Sequence, residues 1–376
     1  MNIGTTLKIT CLVPAVIGFM ISALGQGSAR QVKAVQDCRI DQKFTKMFAR
    51  DCCGVTGADG DYSVLLPDGR TVWIFGDSFL GTVKPDRSRE KRTPWFVRNA
   101  MAVQEKDTLR SLYNVINGWE SSWVIPPGAP KGKQFSEDSL WYWPGDAFIE
   151  NGKLKAFMTA FYQAKPGDWG FAWVSANIAT FSLPDLKLEK IDHFNYPNDA
   201  EVHWGHAVCD DDKDYTYIYG AGNKKVYVAR APRTNILAPW EFFNGREWVK
   251  DSREARPSLD IQGSEQFSVF KYNGKYVLLV QEGGFMTTDI CTYISDLPYT
   301  GWKNRKVVCH AKLPEDVTST KNLFAYNSLA HPQFIENGEL LISSCINSFV
   351  VEDVFRDASK YRPVFQRVPL KSIFEE

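Results

Sequence analysis

The chain has 376 residues, 44 basic and 44 acidic side chains and 44% apolar residues. That is enough for one large domain with a full core. The balanced charge excludes a general attraction to nucleic acid or to an anionic membrane. Aromatic residues make up 14%, with twelve Trp, which suits either a β-rich core or flat platforms on which sugar rings stack.

The chain opens with a short polar start containing Lys8, followed by the apolar run "CLVPAVIGFMISALG". This run has the length of a signal-peptide core and is short for a membrane span. Ala23-Leu24-Gly25 fits the small-x-small cleavage pattern, with Gly27-Ser28-Ala29 as a second option. The expectation is a bacterial protein exported to the periplasm or beyond, with a signal peptide at 1–25 and no integral membrane segment after cleavage. Cys11 precedes the apolar run, which argues against a lipid anchor. Residues 26–53 read as an N-terminal extension with a helix around Gln31–Phe48, and 54–376 as one domain. Cleavage leaves seven of the eight Cys, an odd number, in a compartment that permits disulfides. Cys291 with Cys309, and Cys38 with Cys52 or Cys53, are the expected partners. No CxxC occurs, so zinc-ribbon and thioredoxin readings fail.

From residue 57 onward a hairpin recurs: "DYSVLLPDGRTVWIFGDS", "GDAFIENGKLKAFMTAFYQ", "GHAVCDDDKDYTYIYGAGN", "EQFSVFKYNGKYVLLVQEG" and "HPQFIENGELLISSCINS". The turn glycines Gly69, Gly152, Gly274 and Gly338 are separated by 83, 122 and 64 residues, the middle interval being two units of 61. A third strand follows each hairpin: "NAMAVQE", "NIATFSLPD", "KVYVARAP", "DICTYISD" and "NSFVVEDV"; "RPVFQRVPL" reads as a fourth strand. Radial repetition at this period predicts an all-β, five-bladed β-propeller with antiparallel blades. Residues 81–97 and 114–143 read as two loop insertions, and the basic run Lys84–Arg92 as a solvated loop or a contact for an acidic polysaccharide.

A hairpin sends both outer ends to one side. Asp59 and Asp77 flank the first hairpin and therefore return to the same face. In a propeller the corresponding ends of every blade ring one mouth of the central channel. Those positions carry Asp146, His203 and His206, Glu265, Gln281 and Glu282, and His331 and Asn347, with Arg98, Asn99 and Asn177 at the starts of third strands. Acids, amides and imidazoles with Trp143 nearby compose a polar pocket with aromatic walls, as a carbohydrate site needs. Cleaving a glycosidic bond takes two carboxyl groups, and neighbouring carboxyls in a partly buried funnel divide into one acid and one base. An Asp beside Gly in a turn is commonly a cap; the matched placement of two is what gives the pair weight. His203 and His206 are three apart, which shares a face on a helix, whereas Trp204-Gly205 argues for a turn. No metal site is therefore expected, and the imidazoles read as binders of sugar hydroxyls. His331 before Pro332 reads as a strand-end structural group or a site group. No cofactor is required, although the channel leaves room for a structural calcium or other ion. Phosphate-loop and G-x-S-x-G patterns do not occur.

The stretches "GADGDYSVLLPDGRTVWIFGDSF", "YGAGNKKVYVARAP" with "PWEFFNGREWV", and "AHPQFIENGELLISSCINSF" resemble a group of bacterial five-bladed propeller proteins long grouped as domains of unknown function, some of which are endo-D-arabinanases. The resemblance spans roughly residues 54–350. It implies a glycoside hydrolase whose essential pair maps to Asp59 in "GADG" and Asp77 in "FGDS". The layout is also similar to five-bladed arabinanases and invertases that draw acids from three blades, but here the third blade offers His206 in place of Glu.

Together these readings give an exported glycoside hydrolase acting on furanosidic, arabinan-like or related chains. Asp59 and Asp77 would be catalytic, and Arg98, Asn99, Asp146, Trp143, His206, Glu265, Glu282, His331 and Asn347 would bind an oligo- or polysaccharide. The rivals are a non-catalytic glycan-binding propeller of an uptake system and an enzyme of another class. A sialidase needs an arginine triad, of which only Arg98 is evident; a lyase would release unsaturated products.

Overall fold

Three inner hairpins turn on Asn-Gly, with both residues at positive φ: Asn151 and Gly152 at 50° and 72°, Asn273 and Gly274 at 48° and 76°, Asn337 and Gly338 at 52° and 74°. Asn and Gly tolerate this region, and the two-residue turn it makes matches the twist of the strands it joins. The computed structural model describes residues 38–91, 96–128, 139–166, 170–210, 213–261 and 263–375. The expected signal segment and the start of the expected helix lie outside them; the described helix runs Gln42–Phe48, capped by Asp41, whose carboxylate accepts the Phe44 N–H at 3.0 Å.

The fold is all-β, a five-bladed antiparallel propeller. Blade one is Tyr62–Leu65, Thr71–Phe75, Ala100–Glu105 and Thr108–Leu112. Blade two is Trp141–Glu150, Lys153–Gln163, Phe171–Phe181 and Leu188–Phe194. Blade three has His203–Asp210, Tyr215–Gly222, Lys225–Pro232 and Glu241–Phe243, with short strands added at its edge. Blade four is Gly263–Tyr272, Lys275–Glu282, Asp289–Ser295 and Lys303–His310. Blade five is Leu323–Glu336, Glu339–Ser348 and Val364–Pro369, completed by Arg39–Ile40. The innermost strands touch in circular order. Apolar side chains fill the wedge between each pair of neighbouring blades. Tyr62, Val72 and Met158 pack between blades one and two, for example, and Trp73, Leu341 and Phe365 between five and one.

The ring closes differently from the sequence expectation. "NSFVVEDV" supplies no third strand: its second half is the helix Val351–Arg356. "RPVFQRVPL" holds the third strand of blade five rather than a fourth. The fourth comes from the chain's start, where Arg39 pairs with Arg367 and Ile40 with Gln366. The disulfides differ too. Cys38 bonds to Cys309 and Cys52 to its neighbour Cys53, while Cys291 is a buried free thiol. Cys291 and Cys309 sit on adjacent strands but opposite faces, one packed toward blade three and the other toward blade five. The Cys38–Cys309 bond spans 271 residues and ties the closing strand to blade four. Reducing it is expected to cost about 2–5 kcal/mol, read as a lower melting temperature with reductant, with the Cys38→Ser variant insensitive to reductant at that bond.

The basic segment from Lys84 is exposed at Lys84, Pro85, Asp86, Glu90 and Lys91, as a solvated loop would be, but it is pinned at two arginines. Arg89 is buried, donates to the Thr56 carbonyl at 2.8 Å and lies over the Phe79 ring, while Arg87 pairs with Asp357 at 3.0 Å. Of the second insertion, Asn114–Ile116 and Trp119–Ser121 form a small hairpin. No helix among the described residues is long and apolar enough to cross a membrane.

Candidate active site

The innermost strands of blades two to five each carry a register shift near their entry end: between Pro144 and Ala147, Trp204 and Ala207, Gly263 and Phe267, and Tyr326 and Leu329. A bulge breaks the alternation of a strand and re-aims the residues inside it. Asp146, His206 and Glu265 all lie within these shifts. Blade one uses another device. Val55–Ala58 and Ser78–Leu80 form a short ladder beyond the blade, and Asp59-Gly60-Asp61 joins that ladder to the blade's first strand. Gly60 has φ 88°, and a side chain there would strike the Gly76 nitrogen.

Asp59 and Asp77 face each other across this junction. The Asp59 N–H donates to the Asp77 carbonyl at 3.3 Å, and the Gly76 N–H to the Asp59 carbonyl at 2.8 Å. Their environments are unlike. Asp59 Oδ2 accepts hydroxyl hydrogens from Tyr326 at 2.7 Å and Tyr361 at 3.0 Å. Its Oδ1 lies over Gly76, where a Cβ would come within 2.4 Å of it. Burial, then the negative charge of Asp77, pushes the Asp59 carboxyl up to about 7, against the pull of the two hydroxyls. Burial also drives both tyrosines far above their usual range, so they remain donors. Asp77 is held by a cation and an indole instead. Trp143 Nε1 donates to Oδ1 at 2.8 Å, and Arg98 approaches both oxygens at 3.4 Å. The Arg98 guanidinium rests 4.1 Å above the Trp141 ring, which fixes it in place. One carboxyl is thus set to carry a proton near neutral pH, and the other faces a fixed positive charge.

Sequence reasoning missed Tyr326, Tyr361 and Asp61. Tyr326 borders the blade-five bulge, whereas Tyr361 ends the single 3-10 turn Ala358–Tyr361, too short for a periodic pattern to mark it. Asp61 is fully buried, takes a contact from Cys345 Sγ at 3.3 Å, and burial raises it to about 8.

On the wall formed by blades three and four, His203, His206 and Glu265 converge, with one donor atom of each within 4.8 Å of the others. His203 Nδ1 is 3.2 Å from Glu265 Oε2, and its ring stacks on Trp173. The two histidines share a face on a strand because Gly205, at φ 97°, forms the bulge between them; the helix-based spacing rule overlooks this. Burial lowers His206 to about 4, and neither ring nitrogen has a hydrogen-bond partner among the described residues. Partial desolvation pushes Glu265 up even though its side chain is 64% exposed, but the His203 hydrogen bond and both imidazoles outweigh it and hold it below the usual range. The cluster has the donors to hold a metal ion. Aromatic contacts join it to the aspartates: Phe161 lies 6.0 Å from His203 and 4.8 Å from Trp143.

Asp146 accepts the Ala147 and Val208 N–H groups, both at 2.8 Å, and burial raises it to about 7. It borders a cavity of about 520 Å³ lined by all five innermost strands, which runs toward the turn end and contains neither Asp59 nor Asp77. The remaining expected site residues have partners of their own. Asn99 is a buried brace, donating to the Val124 and Tyr142 carbonyls at 2.9 and 3.0 Å. His331 is buried between Ser63 Oγ at 2.7 Å and Ser343 Oγ at 3.0 Å, and burial lowers it to about 3, so it stays neutral. Glu282 is bound by Tyr293 and Arg305 within blade four. Asn347 accepts the neighbouring Ser348 N–H at 2.7 Å. An aromatic ridge leads outward from Tyr326: Phe324 lies 5.4 Å from it, Phe349 4.5 Å further on, and Phe349 is 61% exposed.

Among solved structures the chain is similar to a Bacteroides ovatus protein whose hydrolase assignment is provisional, at 23% identity over 92% of this chain and 95% of that one, TM-score 0.78. An exo-β-1,3-galactanase from Phanerochaete chrysosporium aligns at 10% identity over 89% of this chain and 64% of its own, TM-score 0.48. The first likeness shows the fold, and the second is too distant to add to it. No curated protein matches the chain. A family model matches residues 41–370, nearly the whole propeller, and the chain therefore belongs to the family described as a domain of unknown function, DUF5005.

Proposed function

We propose that this protein is an exported glycoside hydrolase of furanosidic, arabinan-like chains, with Asp59 as the proton donor and Asp77 as the anion that meets the anomeric carbon, directly or through water. The observation that carries the reading is the opposition of two carboxyls with divided environments, Asp59 raised by burial and by its neighbour, Asp77 beside Arg98. That division is what acid-assisted cleavage of a glycosidic bond needs. Tyr326 and Tyr361 hold Asp59 Oδ2, which leaves Oδ1 to present the proton. Trp143 and the ridge of Phe324 and Phe349 are the flat surfaces for sugar rings. The test is incubation of the purified protein with D- and L-arabinans and galactans. New reducing ends on an arabinan support the reading; binding without cleavage across the panel contradicts it and favours a glycan-binding propeller.

The pH dependence follows with a definite sign. Asp59 donates only when protonated, so the rate is expected to fall as pH rises through about 7. Because its folded pKa lies above the unfolded value, the stability tied to its proton is present at acid pH and lost as pH rises from about 4 to about 7. In Asp77→Asn the like charge is gone, and Asp59 is expected to titrate at lower pH. Carbon-13 NMR of the Asp59 carboxyl reads this; an unmoved titration in the variant would show that the two groups do not interact.

A further inference from the structure

We propose that His203, His206 and Glu265 form a site for a divalent transition cation of the zinc class in the funnel wall. The proposal is independent of the hydrolase reading. Two imidazoles and one carboxylate, with one donor atom of each within 4.8 Å of the others, are the ligand number and type of an open zinc site. Zinc–ligand bonds of about 2.0–2.2 Å require donors roughly 3.5 Å apart. His203 Nδ1 and Glu265 Oε2 already stand 3.2 Å apart, and a His206 ring nitrogen lies within 4.8 Å of a donor of each.

A second observation points to a ligand. His206 is 7% exposed, and among the described residues neither of its ring nitrogens meets a hydrogen-bond partner. A buried imidazole left in that state is costly, and a cation between it and Glu265 would remove the cost. The neutral ring offers the lone pair that a metal needs.

The backbone is shaped for the cluster. A Cβ at Gly205 would come within 2.2 Å of the Phe157 ring, so only glycine permits the bulge that aims both histidines the same way. Trp173 stacks on His203 with ring planes 13° apart and fixes its orientation. Nitrogen donors favour zinc-class ions over calcium or magnesium, which take oxygen ligands. The Glu265 side chain is 64% exposed, so the fourth position opens where a water or a glycan hydroxyl can reach it.

The test uses the full-length protein, stripped with chelator and titrated with zinc chloride by calorimetry at pH 7.5, alongside calcium chloride. One zinc per chain is expected, with a dissociation constant below about 10 μM. Glu265→Gln and His203→Ala lie on the more exposed side of the cluster. Each is expected to weaken zinc binding by about tenfold or more while the melting temperature of the metal-free protein stays put. Absence of stoichiometric zinc, preference for calcium, or unchanged affinity in the double variant would each overturn the proposal.

Discussion

Asp77→Asn and Asp59→Asn will each lower turnover of an arabinan that the native protein cuts by about 10²–10⁴-fold, with the fold intact. Asn keeps the size of Asp and an acceptor oxygen. At position 77 it can still take the Trp143 indole hydrogen; what disappears is the anion facing Arg98. At position 59 it can still accept the hydroxyls of Tyr326 and Tyr361; what disappears is the proton to be donated. Removing a carboxyl raised by burial also removes a group that resists ionisation in the folded state, so Asp59→Asn is expected to melt no lower than the native protein at pH 8. Steady-state rates together with melting curves separate the two effects. Near-native turnover in both variants would remove the pair from the chemistry.

Arg367→Ala will destabilise the protein by about 3–5 kcal/mol. Arg367 is 2% exposed, and its strand lies between the N-terminal closing strand and the last hairpin. Its guanidinium meets Asp41 at 2.6 Å and Glu336 at 2.5 Å, and donates to the Phe334 carbonyl at 2.7 Å. Asp41 is itself buried, and it caps the helix whose Phe44 and Phe48 seal the wedge between blades five and one. Truncating Arg367 leaves that carboxylate unpaired in a low-dielectric setting, which costs far more than an exposed pair is worth. Asp41 carries a pH signature as well. Burial pushes it up, but the Phe44 N–H and Arg367 outweigh this and hold it below the usual range. Its contribution is therefore present at neutral pH and lost as pH falls below the unfolded carboxyl value, and the gap between native and variant melting temperatures is expected to narrow in acid. An unchanged melting temperature at pH 7 would show that the ring is not secured at this point.

What the sequence made legible has a physical pattern. Repeated Asn-Gly turns and alternating strands are local signals, and they were enough to yield the blades and to set Asp59 opposite Asp77. Ring closure was not legible, because Arg39–Ile40 is a two-residue strand too short for any periodicity and its partner is more than 300 residues away. The cysteine pairing failed for a related reason: spacing does not reveal which face of a blade a thiol occupies. Asn99 and His331 have the composition of site residues, yet their hydrogen bonds are spent inside the packing. The helical spacing rule does not apply to His203 and His206, because the glycine between them marks a bulge that achieves the same convergence on a strand. Tyr361 has no signal at all, since it reaches Asp59 from a single 3-10 turn beyond the last hairpin, too short to show a period.

The most direct measurement is a crystal structure of the Asp77→Asn variant with an arabino-oligosaccharide long enough to span the funnel. The expected result is a glycosidic oxygen within about 2.6–3.2 Å of Asp59 Oδ1, the anomeric carbon turned toward residue 77, and a sugar ring against Trp143 or the Phe324–Phe349 ridge. An oligosaccharide seated in the turn-end channel beside Asp146, or anywhere out of reach of both positions, would contradict it.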